Sequence, residues 1–305
     1  MIKVSVILVS YNTRELTINA IRSIYDQTQD VIFEIILVDN DSHDNTVEHV
    51  SGIFPAVTCI KNEKNYGFGY ANNVGAKVAK GEYIFLLNTD TVLMNNAIKI
   101  LADYLDIHSA KDNIAAVCGN LYDKAHYPAT SYSTFFPGLI LEFNSLFFNA
   151  MHHIKAINFH FNFSNNPIHF KGTLSGADSM LVKRHFDAVR GFDQDFFLYY
   201  EETDLFYRLM KKGFVVASVP QAKILHLEGA SEQLQEKTLR RSFLSKSIYF
   251  KKHKSRYIYN ACHYIYQCTA LSRVLLFYML GREDKHKYWS LLRRIEKEVY
   301  MEHNA

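Results

Sequence analysis

Cysteine is scarce in this 305-residue chain and is not arranged for chemistry. Cys59, Cys118, Cys262 and Cys268 contain no CxxC pair and no histidine at partnering spacing. Neither a structural zinc site nor a disulfide framework is indicated, and a reducing cytoplasm fits best. The glycine fingerprints of phosphate binding are missing too: there is no GxGxxG and no GxxxxGK followed by Ser or Thr, so a nucleotide would have to be held in another way. Long apolar runs are also absent. Lys3 is the only charged side chain before the stretch Val4 to Val9, which is too short for a signal segment and is expected to be the first strand. In the C-terminal part the longest clean run, Val274 to Leu280, has seven residues. A membrane span needs about 20.

What remains is ordinary globular material, with 48% apolar residues and a net charge of +3. That net charge conceals an asymmetry. From Glu236 onward there are 15 Lys/Arg against 6 Asp/Glu, leaving 19 against 25 before it. A basic, aromatic-rich tail points to an anionic surface, although a solvated helix face has the same composition.

Along the chain, apolar runs alternate with helical periodicity. Val4 to Val9 is a strand, and Asn12 with Glu15 stands at the N-cap and N3 spacing of a helix carrying Leu16, Ala20, Ile21 and Ile24 on one face. A second strand, Phe33 to Val38, ends in Asp39-Asn40-Asp41-Ser42, and Asn45 with Glu48 marks another helix start. Val57 to Ile60 is a third strand, and Asn65-Tyr66-Gly67-Phe68-Gly69 leads through a helix to the strand Tyr83 to Leu87. This β-α-β-α-β-α-β order argues for a parallel, doubly wound sheet. After the helix Asn96 to His108 and a strand Ala115 to Gly119, residues 120 to 172 lose their period but keep many aromatics, Phe159, Phe161 and Phe163 among them. A partly mobile substrate-covering segment is expected there. Gly172 to Val182 reads as a strand whose Ser175-Gly176-Ala177 leaves room for a ligand.

Three places carry candidate chemistry. Asn88-Thr89-Asp90 closes a buried strand at the edge where open α/β sheets bind ligands, and it offers hard oxygen donors for Mg²⁺ or Mn²⁺. The same triplet is also common turn chemistry. Asp39, at another strand end, could accept hydrogen bonds from a ribose or a base edge, or be a solvated turn residue. Glu201, Glu202 and Asp204 crowd three carboxylates into one helical turn, which costs free energy unless a cation, donor or substrate relieves it. Acids also favour a helix N-terminus. His226 follows a short strand and precedes the small-residue turn that ends at Ser231.

Taken in order, Ser10-Tyr11-Asn12, Val38-Asp39-Asn40, Asn65-Tyr66-Gly67-Phe68 with Asn72-Asn73, Asn88-Thr89-Asp90, Ser175-Gly176-Ala177-Asp178, Gly191-Phe192-Asp193, Tyr200-Glu201-Glu202-Thr203-Asp204-Leu205 and His226 resemble a family-2 glycosyltransferase of the GT-A fold, in its rhamnosyltransferase-like branch. The resemblance implies a Rossmann-like, mostly parallel central sheet with flanking helices over residues 1–235. Residues 1–119 would form the nucleotide-binding half and 120–235 the acceptor-binding half, followed by a helical tail over 236–305. It implies Asp90 and His226 as metal ligands and Glu202 as catalytic base. Tyr11, Asn12, Asp39, Asn65, Gly67, Asn73 and Asn88 would lie on the donor nucleotide, and Asp178, Glu201 and Asp204 on the acceptor. Two departures stand out. Asn88 replaces the first acid of the DxD metal motif, and Glu202 replaces the Asp common at the base position.

The implied reaction is inverting transfer of a sugar from a nucleoside-diphosphate donor to a hydroxyl of a glycan or lipid-linked acceptor in cell-surface polysaccharide synthesis, with Mg²⁺ or Mn²⁺ as cofactor. The branch favours dTDP-rhamnose, with UDP-sugars as runner-up. A nucleotidyltransferase would want a Gly-rich basic loop after the first strand, which Ser10-Tyr11-Asn12-Thr13 does not supply. A non-catalytic carbohydrate- or nucleic-acid-binding module would have no use for Glu202, and no nucleic-acid partner is expected. The tail, interrupted by Asn260, His263, Gln267 and Arg273, is expected to lie in an anionic interface on the cytoplasmic face of the membrane. Packing on the catalytic domain or on a second copy of the chain is the alternative.

Overall fold

The apolar runs become strands covered on both faces. In the computed structural model, which describes residues 1–150, 166–227 and 236–304, the chain opens with β1 (Val4–Ser10), α1 (Arg14–Gln27), β2 (Phe33–Asp39), α2 (Thr46–Ile53), β3 (Thr58–Lys61), α3 (Phe68–Val78) and β4 (Tyr83–Asn88). Ile35 and Leu37 of β2 pack with Ile21, Ile24 and Val50 on one side, while Ile36 and Val38 pack with Ala71 of α3 on the other. Burial on both sides is why these strands read as unbroken rather than alternating apolar runs.

The middle of the chain supplies β5 (Thr91–Leu93), α4 (Ala97–His108), β6 (Ile114–Tyr122), β7 (Tyr132–Ser133), α5 (Leu139–Leu146), β8 (Ile168–Phe170), β9 (Thr173–Leu174), β10 (Asp178–Val182), α6 (Lys183–Ala188), α7 (Glu201–Lys211) and β11 (Val215–His226). The main sheet runs β3-β2-β1-β4-β10-β6-β11-β5, with β8 added on β11. Strands β3, β2, β1 and β4 are parallel, as the βα alternation predicts, but β10 enters antiparallel between β4 and β6. The sheet is therefore mixed. The single strand expected over Gly172 to Val182 is two strands, broken at Ser175-Gly176-Ala177. In β11 the pairing register with β6 shifts between Ser218 and Lys223, on either side of Pro220, which has no N–H to give the ladder.

Two helix starts differ from the sequence reading. Asn12 does not cap α1. It adopts a left-handed conformation (φ 55°), donates its N–H to Ser42 Oγ at 2.9 Å and accepts from His43 N at 2.8 Å, so its amide ties two strand-end loops together. Asn45 occupies the N-cap position of α2 but makes no capping bond. Asp44 does that work at both helices, accepting from Arg14 N at 2.9 Å and Thr46 N at 3.2 Å.

The chain divides into two units. Met1–Thr134, His160–Phe197 and Glu201–Glu232 form the first; Phe135–Phe159, Leu198–Tyr200 and Gln233–Ala305 form the second. The second unit holds α8 (Glu236–His253), α9 (Arg256–Met279) and α10 (Glu283–Asn304); Leu239 of α8 packs with Leu292, Ile295 and Val299 of α10, and His263 of α9 lies 2.9 Å from Glu296 of α10. It takes in more than the tail expected from residue 236, because α5 joins it. Lys246 donates to Glu142 with both side chains largely buried, and Arg273 donates to the carbonyls of Ser145 and Leu146 while lying over the Phe148 ring. Part of the segment expected to cover substrate is thus a helix of this unit, and Phe159, Phe161 and Phe163 lie outside the described residues. Among the described residues no helix is long and apolar enough to cross a membrane.

Candidate functional site

Parallel register sets the floor of the site in the first unit. Ser10 pairs with Asp39 and Val9 with Asn88, so the C-terminal ends of β1, β2 and β4 lie side by side. A hydroxyl chain bridges them, with Ser10 Oγ and Thr89 Oγ1 each 3.1 Å from Thr13 Oγ1. Asp39 is buried; its Oδ1 accepts from Ser42 N at 2.9 Å, while Oδ2 has no hydrogen-bond partner among the described residues. A buried carboxylate oxygen without a donor costs free energy, and a ligand hydroxyl or N–H would relieve it. Asn88 Oδ1 is in the same condition. Tyr11, just beyond β1, is half-exposed.

Asp90 and His226 meet although they come from distant parts of the chain. His226 pairs with Thr91 across the β11–β5 ladder, Leu227 N donates to Asp90 O at 2.8 Å, and His226 Nε2 stands 3.3 Å from Asp90 Oδ1. That is about the separation of two ligands sharing one divalent ion through bonds of roughly 2.1 Å. An oxygen and an imidazole nitrogen so placed fit a divalent metal whose remaining positions are filled by water and phosphate, and Asn88 Oδ1 is a further neutral donor at the same strand end. The turn after Leu227 lies outside the described residues.

Glu201 and Glu202 open α7. Glu201 is buried and its Oε2 lacks a partner among the described residues. Glu202 is only partly buried and its carboxylate lies against Gly176, in the space that the small residues were expected to leave for a ligand. Burial raises both carboxyls above the ordinary range, and the Glu202 charge raises Glu201 further. A run of contacts leads from the metal candidates to this carboxylate: Asn88 N donates to Ala177 O at 3.1 Å, and the adjoining Gly176 carries Glu202.

Several residues expected at donor or acceptor are occupied elsewhere. The Asn73 amide is used twice on Phe192, donating to its carbonyl at 2.8 Å and accepting from its N–H at 2.9 Å. Asp204 is fully buried and paired with Arg208, whose Nε lies 2.7 Å away and whose other nitrogens hold the carbonyls of Val189 and Gly191. Asp178 is also fully buried, accepts from Gly119 N at 2.9 Å, and is pushed up to about 8, mainly by burial. Asn73 and Asp204 thus spend polar atoms on the frame, while Asp178 keeps Oδ1 without a hydrogen-bond partner among the described residues. Asn65 accepts from Gly67 N and from Asn40 Nδ2. Gly67 (φ 94°) leaves no room for a side chain, since a Cβ there would stand 2.2 Å from Phe197 O. Asn40, absent from the expected site residues, is the hub of that loop: it also donates to Gly67 O and accepts from Asn62 Nδ2 and Tyr66 N. Its position directly after Asp39 was the available signal.

The open α/β sheet, with a carboxylate–histidine pair at its strand ends and a partly buried acid nearby, has the architecture of the GT-A fold. Residues 5–166 match the model of glycosyl transferase family 2, and the chain belongs to that family. Among curated relatives, glycosyltransferase GlyG of Streptococcus pneumoniae is 33% identical over 39% of this chain and 39% of its own length. The dTDP-rhamnosyl transferase RfbF of Shigella flexneri is 24% identical over 73% of this chain and 68% of its own. The chain spans well under half the length of the first curated relatives it matches. Among solved structures, the mannosyltransferase PcManGT of Pyrobaculum calidifontis, in complex with GDP-Man and Mn²⁺, has the same fold, with a TM-score of 0.60 and 15% identity over 99% of this chain and 86% of that one.

Proposed function

We propose that the chain is a metal-dependent, inverting glycosyltransferase that moves a sugar from a nucleoside-diphosphate donor to a hydroxyl of a glycan or lipid-linked glycan. The observation that carries this reading is the meeting of Asp90 and His226 at the strand ends, with Glu202 linked to them through Asn88, Ala177 and Gly176. Residues 1–119 supply the donor side and 120–235 the acceptor side. Asp39 Oδ2 accepts from the donor's nucleoside, and Tyr11 offers an aromatic face at the same edge. Asp90 and His226 hold Mg²⁺ or Mn²⁺, with Asn88 as the neutral third group. When bound, that ion stabilises the negative charge developing on the leaving diphosphate as a Lewis acid.

Glu202 takes the proton of the acceptor hydroxyl during attack. Burial raises its pKa above that of an exposed carboxylate, which makes it a stronger base. One base and a single displacement give inversion, whereas retention through a covalent intermediate would need a carboxylate on the anomeric carbon itself. RfbF, 24% identical over 73% of this chain, supports dTDP-rhamnose as donor; UDP-sugars are the runner-up. The Mn²⁺ and GDP-Man bound by PcManGT agree with a metal-held sugar nucleotide.

The second unit would bring the site to its acceptor at an anionic membrane surface. Ile140, Phe143, Phe147 and Phe148 around α5, and Leu275, Tyr278, Met279 and Leu280 at the end of α9, are exposed apolar groups on a strongly basic unit.

Release of nucleoside diphosphate from a panel of sugar nucleotides, with and without Mn²⁺, tests the central reading. Metal-dependent release that is accelerated by a glycan acceptor, with an inverted anomeric centre in the product, is expected. Release of pyrophosphate from a nucleoside triphosphate would mean a nucleotidyltransferase, and sugar binding without turnover a binding module.

A further inference from the structure

Outside the crevice, two imidazoles and a carboxylate converge where α4 meets β8. His108 ends α4, Asp112 follows it in the connecting turn, and His169 is the middle residue of β8, opposite Ala217 of β11. One nitrogen from each imidazole and one oxygen of Asp112 all lie within 4.8 Å of one another, and among the described residues this is the one such group of three. We propose that His108, Asp112 and His169 form a second metal site, for a transition ion of zinc's class, distinct from the one at Asp90 and His226.

The backbone fixes two of the three ligands together. Asp112 N donates to His108 O at 2.8 Å, closing one helical turn, and His108 Nδ1 lies 2.6 Å from Asp112 Oδ2. Tyr104, one turn earlier, orients both rings: it stacks on His108 with centroids 4.3 Å apart, and its hydroxyl is 2.6 Å from His169 Nε2. Metal-bound imidazoles are held in this way by partners of the second nitrogen and the ring. In a tetrahedral site with bonds of about 2.0–2.1 Å, ligand atoms are about 3.3 Å apart. Closing the present span therefore takes movements of about 1.5 Å at side chains that are partly exposed. His108 and Asp112 are each 28% exposed at the side chain and His169 is more open, so an ion can enter and water can complete the shell.

Ligand chemistry separates the two sites. Two imidazoles with one carboxylate favour zinc, nickel or copper over magnesium, whereas Asp90 with phosphate oxygens favours the hard ions. The site would serve as a clip. Among the described residues β8 pairs with β11 only, and an ion shared by His169 and the end of α4 would reinforce the Tyr104 contact that already ties this edge strand to α4. Because such an ion binds the folded chain and not the unfolded one, it raises stability by mass action.

The test is titration of the metal-stripped, full-length chain with Zn²⁺ in excess Mg²⁺, alongside thermal unfolding with and without Zn²⁺. Wild type should bind one Zn²⁺ and gain thermal stability from it. His169→Ala and His108→Asn should each lose at least about 10-fold in Zn²⁺ affinity together with the stability gain. His226→Ala should keep both. Should His169→Ala fail to fold, Asp112→Asn is read in the same way. Failure of wild type to bind Zn²⁺, unchanged affinity in His108→Asn and Asp112→Asn, or loss confined to His226→Ala would overturn the proposal, and none of these outcomes bears on whether the crevice transfers sugar.

Discussion

Glu202 fills the space that a side chain at Gly176 would need: a Cβ there would stand 2.4 Å from Glu202 Oε1 and 3.0 Å from its Cγ. The break between β9 and β10 thus has a positional reason, because only glycine lets the α7 carboxylate lie on the strand end. Gly176→Ala should displace Glu202 by about an ångström while leaving Asp90 and His226 in place. A misplacement of that size costs about 10²-fold in rate. Steady-state kinetics should show a fall in kcat of that order with donor KM little changed; an unaltered kcat would separate Glu202 from the chemistry.

Removing the proton acceptor without removing its volume is the sharper test of the same residue. Glu202→Gln should bind donor and metal normally and lose at least about 10²-fold in kcat, since general base catalysis is worth about that much or more. Its pH profile should change as well. Because burial raises the Glu202 pKa, wild-type activity should fall on acidification at a pH above the ordinary carboxylate range, and that limb should vanish in the variant. A collapse of donor affinity with kcat intact would make Glu202 a binding residue.

For the metal pair the expected effects are unequal. Asp90→Ala removes the charged ligand from a strand end and should abolish turnover with a folding transition close to wild type. His226→Ala removes a neutral ligand, so apparent Mn²⁺ affinity should weaken by about 10-fold or more and excess Mn²⁺ should restore part of the rate. Metal titrations of activity read both. Wild-type metal dependence in His226→Ala would return that imidazole to a packing role.

Asp178 makes stability depend on pH. Its folded pKa of about 8 lies above the ordinary aspartate value of about 3.9, so between these limits the folded chain keeps a proton that the unfolded chain releases. The contribution is whole below about pH 4 and is lost as pH rises through about 8. The melting temperature should therefore decline across that window. Asp178→Asn keeps an acceptor for Gly119 N and stays neutral, so it should flatten the decline and be the more stable protein at the alkaline end. Parallel melting curves for the two proteins would show that this carboxyl ionises in the core without cost.

The strands were legible because burial on both faces leaves an unbroken apolar run, as in Val4–Ser10 and Tyr83–Asn88. Their ends were legible for the same reason, since polar residues such as Asp39 and Asn88 stand where the run stops. Side-chain partners were not. Asn73 spends its amide on Phe192 and Asp204 its charge on Arg208, and spacing along the chain does not say whether an acid at a helix start faces solvent or an arginine one turn later. Nor could periodicity assign α5 to the C-terminal helices, because the bonds that fix it come from Lys246 and Arg273, more than a hundred residues away. His169 likewise reaches His108 only through the pairing of β8 with β11.

The second unit carries the last prediction. Its surface combines exposed Phe143, Phe147, Phe148, Tyr278, Met279 and Leu280 with 15 Lys/Arg against 6 Asp/Glu from residue 236 onward. Each basic group near an anionic bilayer contributes about 1 kcal/mol, and the aromatic and aliphatic groups add interfacial burial that needs no spanning helix. Liposome co-sedimentation should therefore show binding to anionic but not to neutral vesicles, weakened by salt as charges are screened. Phe147→Ser should weaken binding at constant charge, whereas Lys285→Glu with Lys287→Glu should weaken it most at low salt and make the remaining binding less sensitive to salt; these groups are exposed, so both variants should fold. Recovery of the intact protein in the supernatant with every vesicle would assign the surface to a second copy of the chain, which sedimentation velocity would then detect as a dimer.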